Sequence, residues 1–368
     1  MRIILFLLLL AGLALPARAA EPPVVTTSEG RVTFNRAKIS VPARVGTLSL
    51  LETKEFSLPG EGVDSAALLR SSDRQVLASV YVYYPAISHS GLAAMATDAA
   101  IRLNSKSPVT AMGARVVAAA GHPAAAVRAD YRGYLGNLAS SAAFIKAGRW
   151  MIKVRVSGPE ARKAEVDAAM ADLLDGLRVE SGEALSTAAI IETPDCASNR
   201  IADARMRADV TKEIMEDAIV FGTLDPTGSS TAVRPGASPR QSRIGTSWCR
   251  QMLAAGTSNI TMLRRTDVEP GTAAGDGKSM LLVLYSDAGG LLEVVRTRGR
   301  GRYALLNHKI GETSLLASFD SLPSDAQLVQ VLAGSRELGR PRARVRLKAS
   351  GDADVNILMP PTTPAPTT

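Results

Sequence analysis

Two stretches of strict two-residue alternation constrain the fold of this chain more than any other feature. Over 75–84, Val76, Ala78, Val80, Val82 and Tyr84 fall on one side and Ser79, Tyr81 and Tyr83 on the other. Over 149–156, Trp150, Ile152, Val154 and Val156 oppose Met151, Lys153 and Arg155. Strand side chains alternate between two faces, so each stretch predicts a strand with one face in a core. Residues 63–70 pair with the first of these through Ser71-Ser72-Asp73, which predicts an antiparallel hairpin. Shorter strands are expected at 116–119, 124–131 and 138–145, separated by Gly121-His122-Pro123 and by the glycine-containing stretch 132–137.

Helical spacing interrupts this series twice. Leu92, Met95, Ala96, Ala99 and Leu103 recur every three or four residues behind Ser90, a suitable N-cap. Val166, Met170, Leu173, Leu174 and Leu177 form a second stripe. Ser157-Gly158-Pro159-Glu160 precedes it with the spacing of a capping box. Hairpins interrupted by one helix and closed by another indicate an α+β fold, with helices on one side of an antiparallel sheet.

Four features taken together carry a resemblance. These are Val41-Pro42 at the start, Tyr81-Val82-Tyr83-Tyr84-Pro85 at a strand end, Gly121-His122-Pro123-Ala124 before a strand, and the run from Trp150 to Val156 before a last helix. Over about 40–180 the chain resembles the PsbP and DcrB type of exported domain. The resemblance implies a noncatalytic module for envelope or membrane-complex maintenance, and it brings no catalytic residue with it.

The length suggests two domains, because single cores stop growing at about 250–300 residues. We place the first at 35–180, a polar connector at 181–200 and a second α+β unit at 201–350. In the second unit a helix is expected over 201–221, where Met206, Val210, Ile214, Ala218 and Phe221 share a face, followed by a long Gly/Pro/Ser loop over 223–245. Strands follow at 260–263, 279–285, 290–297, 302–309, 313–319 and 342–348, and a short helix capped by Ser324 precedes the last of them. The tail 351–368, with four prolines after Met359, cannot bury apolar surface and is expected to be disordered.

Residues 1–19 read as a secretory signal: Arg2, an apolar run from Ile3 to Leu15, then Ala17-Arg18-Ala19 as a cleavage site. The expected location is therefore periplasmic or secreted, with no transmembrane segment after cleavage. The formal charge of +8 falls to +6 without Arg2 and Arg18, a moderate basic excess. Outside the cytoplasm this disfavours nucleic acid as a partner and leaves an envelope protein or an anionic surface ligand. Only two cysteines occur, Cys196 and Cys249. In an exported chain an even count favours a disulfide between them, two buried thiols being the alternative.

No local pattern specifies catalysis, a metal or a cofactor. Gly277-Lys278-Ser279 resembles the end of a P-loop, but position 272 is Thr and a strand, not a helix, follows. His89, His122 and His308 belong to no metal motif and read as loop or surface residues. No GxSxG elbow occurs, and Ser229-Ser230 lie in flexible sequence. The strongest charge pattern lies near the C-terminus. Arg340, Arg342, Arg344, Arg346 and Lys348 alternate with apolar residues, and Arg296, Arg298, Arg300 and Arg302 show the same spacing. If the two strands were neighbours, these cations would form a surface for carboxylates, phosphates or sulfates; the alternative is an edge strand protected by charge. The run Tyr81, Tyr83 and Tyr84 is a further candidate, as a stacking platform for sugar or lipid, against ordinary packing. The expected function is thus a noncatalytic binding or accessory protein of the bacterial cell envelope. The alternatives are binding of anionic lipid or polysaccharide by the arginine strands, and a periplasmic hydrolase whose site forms only in the fold.

Overall fold

The structure is a computed structural model that describes residues 23–85, 89–105, 108–180, 184–197, 201–207, 247–255, 258–272, 274, 278–287, 290–297, 301–335, 339–347 and 353–358. The signal segment, most of the expected helix over 201–221, the loop over 223–245 and the Pro/Thr tail lie outside these residues.

The chain opens with three short strands, β1 (Val25–Ser28), β2 (Arg31–Phe34) and β3 (Ile39–Pro42). It continues through β4 (Arg44–Val45), β5 (Leu48–Glu55), β6 (Asp64–Ser71) and β7 (Leu77–Tyr83) into helix α1 (Ser90–Asn104). Four longer strands follow: β8 (Thr110–Ala119), β9 (His122–Tyr134), β10 (Leu138–Ala147) and β11 (Trp150–Pro159). Helix α2 (Lys163–Asp175) and β12 (Arg178–Val179) end this part. The second part comprises β13 (Trp248–Ala255), β14 (Ser258–Arg265), β15 (Ser279–Leu284), β16 (Leu291–Arg296), β17 (Tyr303–Lys309) and β18 (Glu312–Phe319), then α3 (Asp325–Leu332), β19 (Ala343–Leu347) and β20 (Ala353–Ile357).

The strands form three antiparallel sheets. A small one has the order β1-β2-β3-β12. The first large sheet has the order β4-β5-β6-β7-β11-β10-β9-β8, so the chain leaves its centre at β7, crosses through α1 to the far edge and returns strand by strand. The second large sheet is an unbroken meander, β13 to β20. Strands make up 51% of the described residues and helices 15%, which corrects the expected α+β class to a mostly β fold. The alternation behind β7 and β11 holds: Val76, Ala78, Val80, Val82 and Tyr84 share a core with Trp150, Ile152, Val154 and Val156, and α2 covers it with Val166, Met170, Leu173 and Leu174.

The helices do not line one side of each sheet. Helix α1 is shared between the two large sheets, turning Ala93 and Ala94 to Phe144 and Met151 of the first and Leu92 and Ala96 to Leu263, Leu282 and Leu291 of the second. Its alanines and Gly91 permit this, since a Cβ on Gly91 would stand 2.4 Å from the Ala189 carbonyl of the connector. The cap is His89 rather than Ser90, its ring accepting a bond from the Gly91 N–H. Nor does Ser157-x-x-Glu160 cap α2. β11 stays paired through Pro159, the Ser157 hydroxyl meets Ser140, and Glu160 accepts from the Gly133 N–H, so the helix starts at Lys163.

The connector is an extended strap. Leu185 bridges to Ala147, Ala188 donates to the Ala124 carbonyl, and Asp195 runs parallel to Arg250 of β13. A disulfide joins Cys196 to Cys249 there. Residues 201–207 are also extended, with Met206 bridging to Phe319, so the described start of the expected helix is not helical. The cap at Ser324 is present as a full capping box with Gln327.

Candidate functional site

The two arginine-rich stretches are not neighbours. β17 and β18 lie between β16 and β19, so the condition for a pooled cationic surface is not met. Arg296 is buried and donates to the Thr272 carbonyl. Arg344 pairs with Glu312 at 3.0 Å, Arg346 faces Glu61 at 3.9 Å, and Arg342 donates to the Arg207 carbonyl at 3.2 Å. Arg302 is half-buried and Arg340 exposed, while Arg298, Arg300 and Lys348 lie outside the described residues. Alternation within a strand places cations on one face; the order of strands decides whether two such faces meet.

His308 is not a surface residue. It sits fully buried on β17, with Nε2 2.7 Å from Glu293 Oε2 and Nδ1 2.9 Å from Thr313 Oγ1. Ser279 donates its hydroxyl to the other oxygen of Glu293. The order is serine, carboxylate, imidazole, hydroxyl. A nucleophilic serine needs the imidazole as its neighbour and base; here the carboxylate intervenes and both ring nitrogens are engaged. The chain is a satisfied polar network inside the sheet, of the kind that buried polar groups require. His122 is exposed at the start of β9, His89 is half-buried in the loop before α1, and His308 departs furthest from the expected loop or surface position.

The seam between the large sheets holds the most concentrated charge chemistry. Lys153, in the central strand β11 and only 4% exposed, places Nζ 2.6 Å from Oδ1 of Asp287, which lies just beyond β15. Thr97 of α1 donates to the same oxygen at 2.6 Å, and Arg155 stands 3.9 Å from the other. Burial drives the Lys153 pKa down against the pull of Asp287. For Asp287, burial acts upward, but Lys153, Thr97 and Arg155 hold its carboxyl below the usual range. The Lys153 ammonium also lies 5.9 Å from the Tyr81 ring and 5.8 Å from Phe144.

Beside this seam, α1 covers β9 and β10 and leaves the neighbouring part of the same sheet face open. Register puts Tyr81 opposite Lys153, Ser79 opposite Arg155 and Leu77 opposite both Arg70 and Ser157. Leu77 is half exposed, Tyr81 and Arg155 are partly exposed, and Phe56 at 55% exposure lies 6.1 Å from Tyr81, centroid to centroid. Arg155 stacks 4.7 Å from the Tyr134 ring and donates from Nε to Ser140. The tyrosine run therefore narrows to Tyr81: Tyr83 and Tyr84 are buried, and Tyr84 packs 4.2 Å from Trp150. Alternation over 149–156 places Lys153 and Arg155 on the face opposite the core and by itself assigns them no role. The signal available was two cations two residues apart inside a strand with a continuous apolar face.

Among the described residues no group of three His, Cys, Asp or Glu side chains is placed to hold a metal, and no helix is long and apolar enough to cross a membrane. Comparison with protein-family models and with curated proteins finds no match to the chain.

Proposed function

We propose that the chain is an exported, noncatalytic binding or accessory protein of the bacterial cell envelope, with a PsbP/DcrB-like module over about 40–180. The observation that carries the noncatalytic part is the closed network of Ser279, Glu293, His308 and Thr313, all at most 8% exposed. The residues best suited to hydrolysis among those described bond to one another in the wrong order and face no solvent. The Cys196–Cys249 bridge supports an oxidising location. The arginine strands, apart in the sheet and engaged with separate partners, give no support to a pooled lipid or polysaccharide surface there.

Complementation of a deletion strain tests the reading. Ser279→Ala removes the hydroxyl that bonds Glu293 Oε1, the one group of the network a hydrolase would need as nucleophile, at the cost of one hydrogen bond. If the variant accumulates and melts like the parent, it is expected to restore the envelope phenotype fully. Failure to restore it in a correctly folded protein overturns the noncatalytic reading, and recovery of the parent chain from the cytosol overturns export.

A further inference from the structure

We infer that the open face of the first large sheet, beside the Lys153–Asp287 seam, binds an acidic polysaccharide. The inference rests on the reading of the chain as a binding protein and names the ligand class. Along this face Phe56 and Tyr81 offer aromatic surface, Ser79 a hydroxyl, and Arg70 and Arg155 guanidinium groups, all on strands β5 to β7 and β11 or the turn after β5.

The geometry suits a glycan in three respects. First, sugar rings present C–H faces that pack on aromatic rings, and Tyr81 with its tilted neighbour Phe56 supplies such a surface at one end of the strip. Second, Arg155 is prepared for an anion. Its plane is set by Tyr134 and its Nε by Ser140, while Asp287 stands 3.9 Å away and is already held by Lys153 and Thr97. A rotamer fixed in this way loses little freedom on pairing with a carboxylate in two-point fashion. Third, charges on the face favour an anion. Lys54 is matched by Glu52 at 2.9 Å and Lys153 by Asp287, which leaves Arg70 and Arg155 against one further carboxylate, the half-buried Asp64 at the seam end opposite Tyr83.

Shape separates a glycan from a membrane. The side chain of Arg155 is 20% exposed and that of Lys153 6%, and the strip is walled by α1 and by the β17–β18 turn, where Ile310 packs against the Tyr83 cluster. A bilayer surface meets protruding cations. A narrow polymer can enter between walls, and the strip sets its aromatic pair at one end and its hydroxyl and guanidinium groups further along the strands, as an extended ligand requires.

Affinity electrophoresis of the full chain through gels containing polygalacturonate tests the assignment, with neutral dextran as the control polymer. We expect retardation by polygalacturonate alone, weakened by salt. Arg155→Gln and, separately, Phe56→Ala at the exposed end should each weaken retardation about fivefold or more, a loss of about 1 kcal/mol. Arg344→Gln with Arg346→Gln should leave it unchanged. The inference is overturned by no retardation, by retardation that Phe56→Ala and Arg155→Gln leave intact in folded protein, or by loss only in the Arg344/Arg346 variant. Binding to phosphatidylglycerol vesicles without binding to polygalacturonate overturns it in favour of a membrane surface. None of these outcomes bears on complementation by Ser279→Ala, so the two readings fail separately.

Discussion

Nζ of Lys153 and Oδ1 of Asp287 meet at 2.6 Å across the seam between the two large sheets, 134 residues apart in the chain. The lysine is buried in a central strand, so the carboxylate is what makes its charge tolerable there. Removing one member of such a pair strands the other. Asp287→Ala is expected to destabilise by about 3 kcal/mol, and Lys153→Met added to it should recover much of that loss, because an apolar side chain needs no counterion. Urea unfolding of the two single variants and the double closes the cycle; strictly additive losses would show that the contact carries no coupling.

Asp64 makes stability depend on pH. Burial pushes its carboxyl up to about 6 from an ordinary value near 3.8. A folded-state pKa above the unfolded one means that the native state holds the proton more tightly. Its contribution is complete below about pH 4 and is lost as pH rises through 6. Melting temperature should therefore climb between pH 7.5 and 5, an interval in which the Asp287 carboxyl, held low, stays charged. Asp64→Asn should flatten that climb and raise stability at pH 7.5 by about 1–2 kcal/mol. A slope unchanged by the substitution assigns the dependence to other groups.

How much of this was legible depended on whether the signal was local. The alternation of β7 and β11, the hairpin from β6 to β7 and the cap at Ser324 lie within a few residues of sequence, and each is present. β5 was hidden because its register shifts between Leu50 and Glu52, which breaks the two-residue period and exposes Leu51. Ser157 and Glu160 had the spacing of a cap, but Ser140 and Gly133, brought close by sheet pairing, took their hydrogen bonds. Met206 fell on a helical stripe and instead bridges to Phe319. The site depended on strand order and on Asp287 arriving from the second sheet, neither of which periodicity encodes. The same limit governed the arginines, whose faces were readable while their neighbours were not.

The disulfide closes a separation of 53 residues. In the chain-entropy model such a loop contributes roughly 4 kcal/mol, by limiting the unfolded ensemble. It also fastens the strap to β13, beside the parallel bridge of Asp195 to Arg250. Cys196→Ser with Cys249→Ser should lower the urea midpoint with little change in far-ultraviolet circular dichroism. Peptide mapping without reductant should recover the two cysteines in one linked species; two free thiols would remove the bridge and its contribution together.

His89 couples acid to the helix between the sheets. Its neutral Nδ1 accepts from the Gly91 N–H at 3.1 Å, one of the donors that the first turn of α1 cannot satisfy internally. Protonation turns that acceptor into a donor and places positive charge at the helix N-terminus, where the dipole disfavours it. Burial accordingly lowers the His89 pKa below 6.5. With the folded value depressed, the unfolded chain binds the proton more readily, so stability present above 6.5 is lost as pH falls through the folded pKa. This opposes the gain from Asp64, and the two variants separate them. In the Asp64→Asn background the melting temperature should fall on acidification below pH 6.5, and adding His89→Asn, whose amide oxygen caps without titrating, should abolish the fall. His89→Ala at pH 8 should cost about 1 kcal/mol. If His89→Asn leaves the acid fall in place, the cap is not what protonation breaks.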